Sequence, residues 1–204
     1  MSTRSRGRPR VDSARPETRT AILTAAREIF AERGFERTTM RAIASRAGVD
    51  AALIHHYFGT KDTLTVEALR PDIDPAAVFR GLTVDTPGLG TVFVTRVLTV
   101  WENDVPQRER GTALLRIAVT HDPVAERMRT FFFGLARHVL GDMAADDDRD
   151  LRIALIASHI LGILMMRYVL RLPEIADADI ATLAGRVGPV IEQYLTGPPG
   201  SPVE

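Results

Sequence analysis

The sequence predicts an all-α fold: an N-terminal three-helix domain of helix-turn-helix type, followed by a larger helical domain. Three observations predict it. Apolar residues recur at i, i+3 and i+4 through most of the chain, and no segment alternates with the period of a strand. Two short periodic segments flank a glycine between Thr38 and Lys61. The run 151–170, LRIALIASHILGILMMRYVL, is apolar nearly all round, as a helix buried on every face is. A chain of 204 residues with 45% hydrophobic content is long enough for one small module and one larger core. The boundaries read as a basic arm over 1–16, a helix-turn-helix domain over 17–62, a helical domain over 63–196 and a tail over 197–204. Arm and tail have too little apolar content to order themselves.

The first helix begins near Thr18, carries Ile22, Leu23, Ala26, Ile29 and Phe30 at helical spacing, and stops at Gly34. Thr38 or Thr39 caps the second helix, because a side-chain oxygen there accepts an unpaired N–H of the first turn. Met40, Ile43 and Ala44 form its inward stripe; Arg41, Ser45 and Arg46 lie off it. Gly48 ends it, since glycine takes a left-handed backbone without steric cost. Val49 plugs the turn and Asp50 caps the third helix. Ile54 and Phe58 share its inward face, while Ala51 with His55 and Ala52 with His56 form a small and polar face beside it. Small residues let a helix lie close to DNA, and imidazoles reach phosphates or base edges in the major groove. Gly59 breaks this helix, Thr60 caps the next, and Lys61 at its N-terminus suits a phosphate oxygen.

The fourth helix runs from Lys61 to about Arg70, ahead of Pro71. A helical piece starts at Asp74-Pro75 and reaches about Leu82, and a loop follows. Further helices cover about 89–103, 108–121 and 123–140, with Pro106 and Pro123 at helix starts, where a missing N–H does no harm. Residues 144–148 form an acidic turn ahead of the long apolar run. The last helix, 177–195, repeats Ile180, Leu183, Val187, Ile191, Tyr194 and Leu195 at three and four; Gly185 and Gly188 permit close approach and Pro189 should bend it.

The net charge is zero, but residues 1–62 carry 12 Lys/Arg against 7 Asp/Glu, a net of +5, and the remainder a net of −5. A basic module joined to an acidic one suits a protein that places one end on a polyanion. Arg4, Arg6, Arg8, Arg10 and Arg15 stud the arm among Gly, Ser and Pro. The core Arg6-Gly7-Arg8-Pro9-Arg10 is of the kind that inserts arginines into a narrow minor groove.

Taken in order, Ala26, Phe30, Gly34 and Phe35, Thr38-Thr39-Met40, Ile43-Ala44, Ala47-Gly48-Val49, Ile54, Tyr57-Phe58 and Lys61 resemble the DNA-binding domain of the TetR/AcrR family of transcriptional regulators. The resemblance covers roughly residues 15–65. It implies a homodimer on double-stranded DNA, with Arg6, Arg8, Arg10, Thr38, Thr39, Asp50, Ala51, Ala52, His55, His56, Tyr57 and Lys61 at the DNA. The family often has Tyr where His55 stands and Lys or Pro at Ala51 or Ala52, so no operator sequence follows. It also implies that the last two long helices dimerise, in agreement with the pattern of 151–195. One side of the run 151–170 must meet something beyond the chain's own core, and two helices from each copy would make a four-helix bundle. Interface candidates are Leu155, His159, Leu161, Gly162, Met165, Leu183, Val187, Ile191 and Tyr194.

An unknown small-molecule effector follows from the same resemblance, acting through the fourth helix to release DNA. Aromatics and Met with a few polar groups suit such a site. The candidates are Phe93, Arg96, Val97, Trp101, Leu115, Phe131, Phe132, Leu135, His159, Met166 and Arg167. Phe131, Phe132 and Phe133 are consecutive and cannot all face one core.

No catalytic arrangement stands out, so no enzyme and no cofactor is expected. His55 and His56 are adjacent and point apart, and there is no cysteine, which argues against a metal site. Length alone would let 151–170 span a membrane, but Arg152, Ser158, His159 and Arg167 interrupt it. With no cysteine and no apolar signal segment, the reading is a cytoplasmic protein. The competing reading is a helical protein-interaction module without specific DNA binding, which the arginine arm argues against.

Overall fold

The computed structural model describes residues 14–198, and every element among them is helical. Arg6, Arg8, Arg10 and most of the tail lie outside the described residues. Two compact units divide between Ala68 and Leu69.

The first unit holds α1 (Ala14–Arg33), α2 (Met40–Ala47), α3 (Ala51–Phe58) and α4 (Lys61–Leu69), the last ending on the boundary. Ile22, Ala26, Ile29 and Phe30 of α1 are buried, as are Ile43 and Ala44 of α2 and Ile54 and Phe58 of α3. These are the inward positions that the 3.6-residue period selects. Gly48 turns left-handed at φ 68°, and its N–H closes α2 on Ala44 and Ser45 carbonyls. α1 starts four residues before the expected Thr18, with Glu17 in its first turn beside the free N–H groups.

The second unit contains α5 (Pro75–Val78), α6 (Leu89–Asn103), α7 (Val105–Thr120), α8 (Asp122–Leu140), α9 (Arg149–Leu164), α10 (Pro173–Ala176) and α11 (Ile180–Thr196). Its core gathers Leu89, Phe93, Val94, Leu98 and Trp101 from α6 with Ile153 and Ile156 from α9 and Leu183, Ile191 and Leu195 from α11. α7 begins three residues before the expected Arg108, because Asp104 accepts from the Gln107 N–H and Pro106 sits in the first turn. The long apolar run is not one α-helix: α9 passes at Leu164 into a π-helical segment, Met165–Val169. α11 starts at Ile180, where Asp179 caps the Thr182 N–H, and continues through Pro189.

Gly188 permits a close approach, as expected, and the approach is to the chain's own α6. A Cβ on Gly90 of α6 would stand 2.0 Å from the Gly188 carbonyl oxygen, and one on Gly188 would stand 2.3 Å from Thr91 Oγ1. Leu183 and Ile191 likewise face inward, 9% and 0% exposed, and so correct the expectation that they lie on an outward seam. Buried Arg152 ties α9 to the end of α11, donating to the Tyr194 and Gly197 carbonyls at 2.9 and 2.8 Å and to Asp147 Oδ2 at 2.7 Å. It supplies partners for carbonyls that a helix C-terminus leaves unpaired.

Candidate nucleic-acid interface

Two adjacent threonines divide the work at the head of α2. Thr39 is exposed, and its Oγ1 accepts from the Ala42 N–H at 3.1 Å, a role that does not use the hydroxyl's own proton. Thr38 is buried, and its hydroxyl donates to the Gly34 carbonyl at 2.6 Å. That corrects its expected place at the DNA: the hydroxyl is committed to closing the turn between α1 and α2.

Asp50 fixes the start of α3 by accepting from the Ala52 N–H at 2.7 Å. Its carboxylate therefore positions the helix, since an anion has no direct use for a phosphate. With Ile54 and Phe58 inward, Ala52, His55 and His56 are exposed, and Ala51 and Tyr57 are half-buried. His55 Nδ1 lies 2.9 Å from the Gly59 carbonyl. A carbonyl only accepts, so Nδ1 carries a proton and donates it there. The His56 ring is exposed and stands edge-on to Tyr57, centroids 5.7 Å apart.

Thr60 caps α4 by accepting from the Thr63 N–H at 3.2 Å. The Lys61 ammonium lies 4.0 Å from the Phe35 ring centroid, where burial lowers its pKa against the opposing charges of Glu36 and Asp62. Lys61 thus packs on an aromatic face as well as standing at a helix N-terminus.

The sequence singled out no role for Arg46, yet it clamps α2 to α1. Its guanidinium bonds Glu28 and Glu32, each at 2.9 Å. Hydrogen bonding to Glu32 and then Glu28 raises the arginine further above its ordinary range and holds Glu32 below its own. The signal that could have found it is the Glu28–Glu32 spacing of one helical turn on α1. An open groove of about 610 Å³ runs beside this clamp, lined by Pro16, Thr20, Thr24 and Arg46 among others, and none of the expected effector residues lines it.

Those residues lie in the second unit and do not share one environment. Phe93, Trp101 and Leu115 are core residues, with Val97 packed against them. Phe93 stacks on Phe79 at 5.3 Å and Trp101 on Tyr168 at 5.4 Å. Arg96 donates to the Val78 and Arg80 carbonyls at 3.0 and 2.9 Å. Arg167 donates to Glu102 at 2.9 Å and to the Ala178 carbonyl at 2.8 Å, which holds the π-helical segment against α6 and the connection between α10 and α11. Phe131, Phe132, Leu135 and Met166 are half-buried, and the Arg70 guanidinium sits 4.7 Å over Phe131. His159 bonds its own Leu155 carbonyl at 3.0 Å and lies against Tyr194.

Comparison with known proteins agrees with both units. The family described as bacterial regulatory proteins, tetR family, matches residues 22–68, and a tetracyclin repressor-like C-terminal domain matches residues 88–195. An HTH-type transcriptional repressor of Mycobacterium tuberculosis is 45% identical over 65 residues, 31% of this chain and 35% of that protein. The repressor KstR2 of Rhodococcus jostii is 39% identical over 62 residues, 30% of each. The match thus spans about a third of the length of these curated relatives. Among solved structures, a TetR-family regulator of Streptomyces coelicolor is 34% identical, with 93% of this chain and 99% of that one covered at a TM-score of 0.71. GusR of Salmonella enterica shares the fold at 23% identity, covering 87% of this chain and 96% of its own at a TM-score of 0.61. Two short capped helices around a glycine turn, a helical second unit and family matches across both place this chain in the TetR family of bacterial transcriptional regulators.

Proposed function

We propose that two copies of this chain bind a near-palindromic operator and that a small molecule bound in the second unit releases them, which makes the protein a ligand-responsive repressor. The observation that carries this reading is the outward face of α3. Ala52, His55 and His56 are exposed on a helix whose start is set by Asp50 and whose other side is buried through Ile54 and Phe58. The small residues leave room for a DNA backbone, and the exposed His56 ring can donate to it. Thr39 and Lys61 flank this face, and the arm arginines Arg6, Arg8 and Arg10 add charge that any phosphate attracts.

The apolar helix supports the dimer. Arg149–Val169 is long and apolar enough to cross a membrane by length and composition, yet only 28% of its most apolar stretch is buried. Leu151 and Leu161 are 58% and 40% exposed, and a Cβ on Gly162 would meet nothing within 4 Å. A second copy seated on Leu155, His159, Leu161, Gly162, Met165, Val187 and Tyr194 would cover this surface. Two reading helices would then stand about 34 Å apart, one turn of DNA. An effector against Phe131, Phe132, Leu135 and Met166 needs to supply only about 1–3 kcal/mol of coupling to release the operator.

A titration against genomic DNA fragments, with footprinting, tests the reading. The expected result is a protected palindrome and an affinity that falls steeply with salt. Weak binding without sequence preference, or a monomer that binds as well as the dimer, would overturn it.

A further inference from the structure

We propose that Arg19 is a positioning residue for the reading helix: from α1 it holds Phe58 of α3 and Glu67 of α4 at once, and so sets the angle at which α3 is presented. Its guanidinium carbon lies 5.3 Å from the centroid of the Phe58 ring, within the range of a cation–π contact. The same guanidinium donates to the Glu67 carboxylate. Phe58 is 4% exposed and is the last residue of α3.

α3 is eight residues long, about 12 Å, and is seated by two fully inward side chains, Ile54 and Phe58. A helix so short can rock about that pair. A fixed cation over the terminal ring limits the rocking, and the Glu67 carboxylate keeps that cation in place. Farther along α1, Arg27 donates to the Ala68 carbonyl at 2.8 Å, so α1 grips α4 at two points. Arg19 grips α3 and α4 together. A planar guanidinium can stack on a ring and bond a carboxylate at the same time, which an ammonium does less well.

This inference rests on α3 being the helix that meets DNA, and the test keeps the two apart. The full chain is titrated with its operator as wild type and as Arg19→Met, Arg19→Lys, Glu67→Gln and the double swap Arg19→Glu/Glu67→Arg. Arg19→Met is expected to weaken operator binding about fivefold. The slope of log affinity against log salt should stay unchanged, because no phosphate contact is lost. Arg19→Lys should recover only part of the affinity, and Glu67→Gln should lose less than Arg19→Met. The swap should restore thermal stability through a re-formed ion pair but not affinity, because a glutamate at position 19 cannot sit over the Phe58 ring.

Hydrogen exchange on the free protein gives a readout independent of DNA: in Arg19→Met the α3 amides should exchange about fivefold faster while those of α2 do not. Three results would overturn the proposal: unchanged affinity together with unchanged α3 exchange in Arg19→Met, a salt slope reduced by about 0.9 for each copy of Arg19 removed, or full recovery of affinity in the swap. Wild type without sequence-specific binding would instead overturn the function proposed above, and the exchange result would still decide the role of Arg19.

Discussion

Thr38 and Thr39 stand side by side and do different things. Both are good capping residues, and nothing in the sequence distinguishes them. Once the turn closes, one hydroxyl is buried on Gly34 and the other is left on the surface. His56 is the opposite case, because its place was legible: the i+4 spacing from Ala52 sets it off the face of Ile54 and Phe58, and the structure leaves it exposed. Replacing His56 by Ala should lower operator affinity by about 1 kcal/mol, roughly fivefold, with no change in thermal unfolding; a fluorescence titration with a thermal melt checks both. In the second unit Tyr168 donates to Glu102 at 2.8 Å, and burial followed by that carboxylate pushes its phenol up to about 12. Burial works to raise the Glu102 carboxyl, but Tyr168, Arg167 and Arg108 outweigh it and hold it low. The signs follow. The Tyr168 contribution to stability is complete below its unfolded value of about 10 and is lost as pH rises through about 12. The Glu102 contribution is present above the ordinary carboxylate range and is lost as pH falls through its lowered value. An alkaline absorbance titration of the three tyrosines should therefore show a component near 12 that Tyr168→Phe abolishes.

At the scale of elements, helix positions followed from periodicity, and helix ends followed from caps where the capping residue is unambiguous. Asp50 and Gly48 were such cases. The start of α7 was not, because Asp104 caps it ahead of a proline that reads equally well as a loop residue. The π-helical segment and α10 carry no periodic signal in five and four residues. The contact between α6 and α11 makes a sharp prediction. Gly90→Ala or Gly188→Ala should each destabilise by about 3 kcal/mol, because the added methyl meets backbone that cannot move aside. Gly185→Ala on the same helix as Gly188 meets nothing within 4 Å and should stabilise by about 0.5–1 kcal/mol. Chemical denaturation of the three variants decides this, and equal effects would mean that the two helices are not in contact at Gly90.

At the scale of the whole molecule, the unsatisfied feature is the apolar surface of α9. The proposed seating of a second copy on Leu155 and Leu161 predicts that Leu155→Glu with Leu161→Glu gives a monomer by analytical ultracentrifugation. That monomer should bind a half-site with the salt dependence of one reading domain and should lose tight binding to the full operator, since two linked readers gain affinity by effective concentration. A dimer that survives both substitutions would place the seam elsewhere.

The sequence by itself determined the all-α class, the capped pair of helices around Gly48 and the face of α3 that carries His55 and His56. All of these are set by residues within a few positions of one another, where backbone preference and helical period act directly. Which apolar residues are buried fully and which only in part was decided only by tertiary structure. Ile191 and Leu183 look the same as Val187 and Tyr194 in the repeat, and the close approach at Gly90 and Gly188 is what turns the first pair toward α6. The partners of Arg19, Arg46, Arg152 and Arg167 likewise could not be read until folding brought each beside a carboxylate or a helix-end carbonyl distant in sequence. The physical reason is that period and propensity describe one helix at a time, whereas long-range pairing depends on which helices meet.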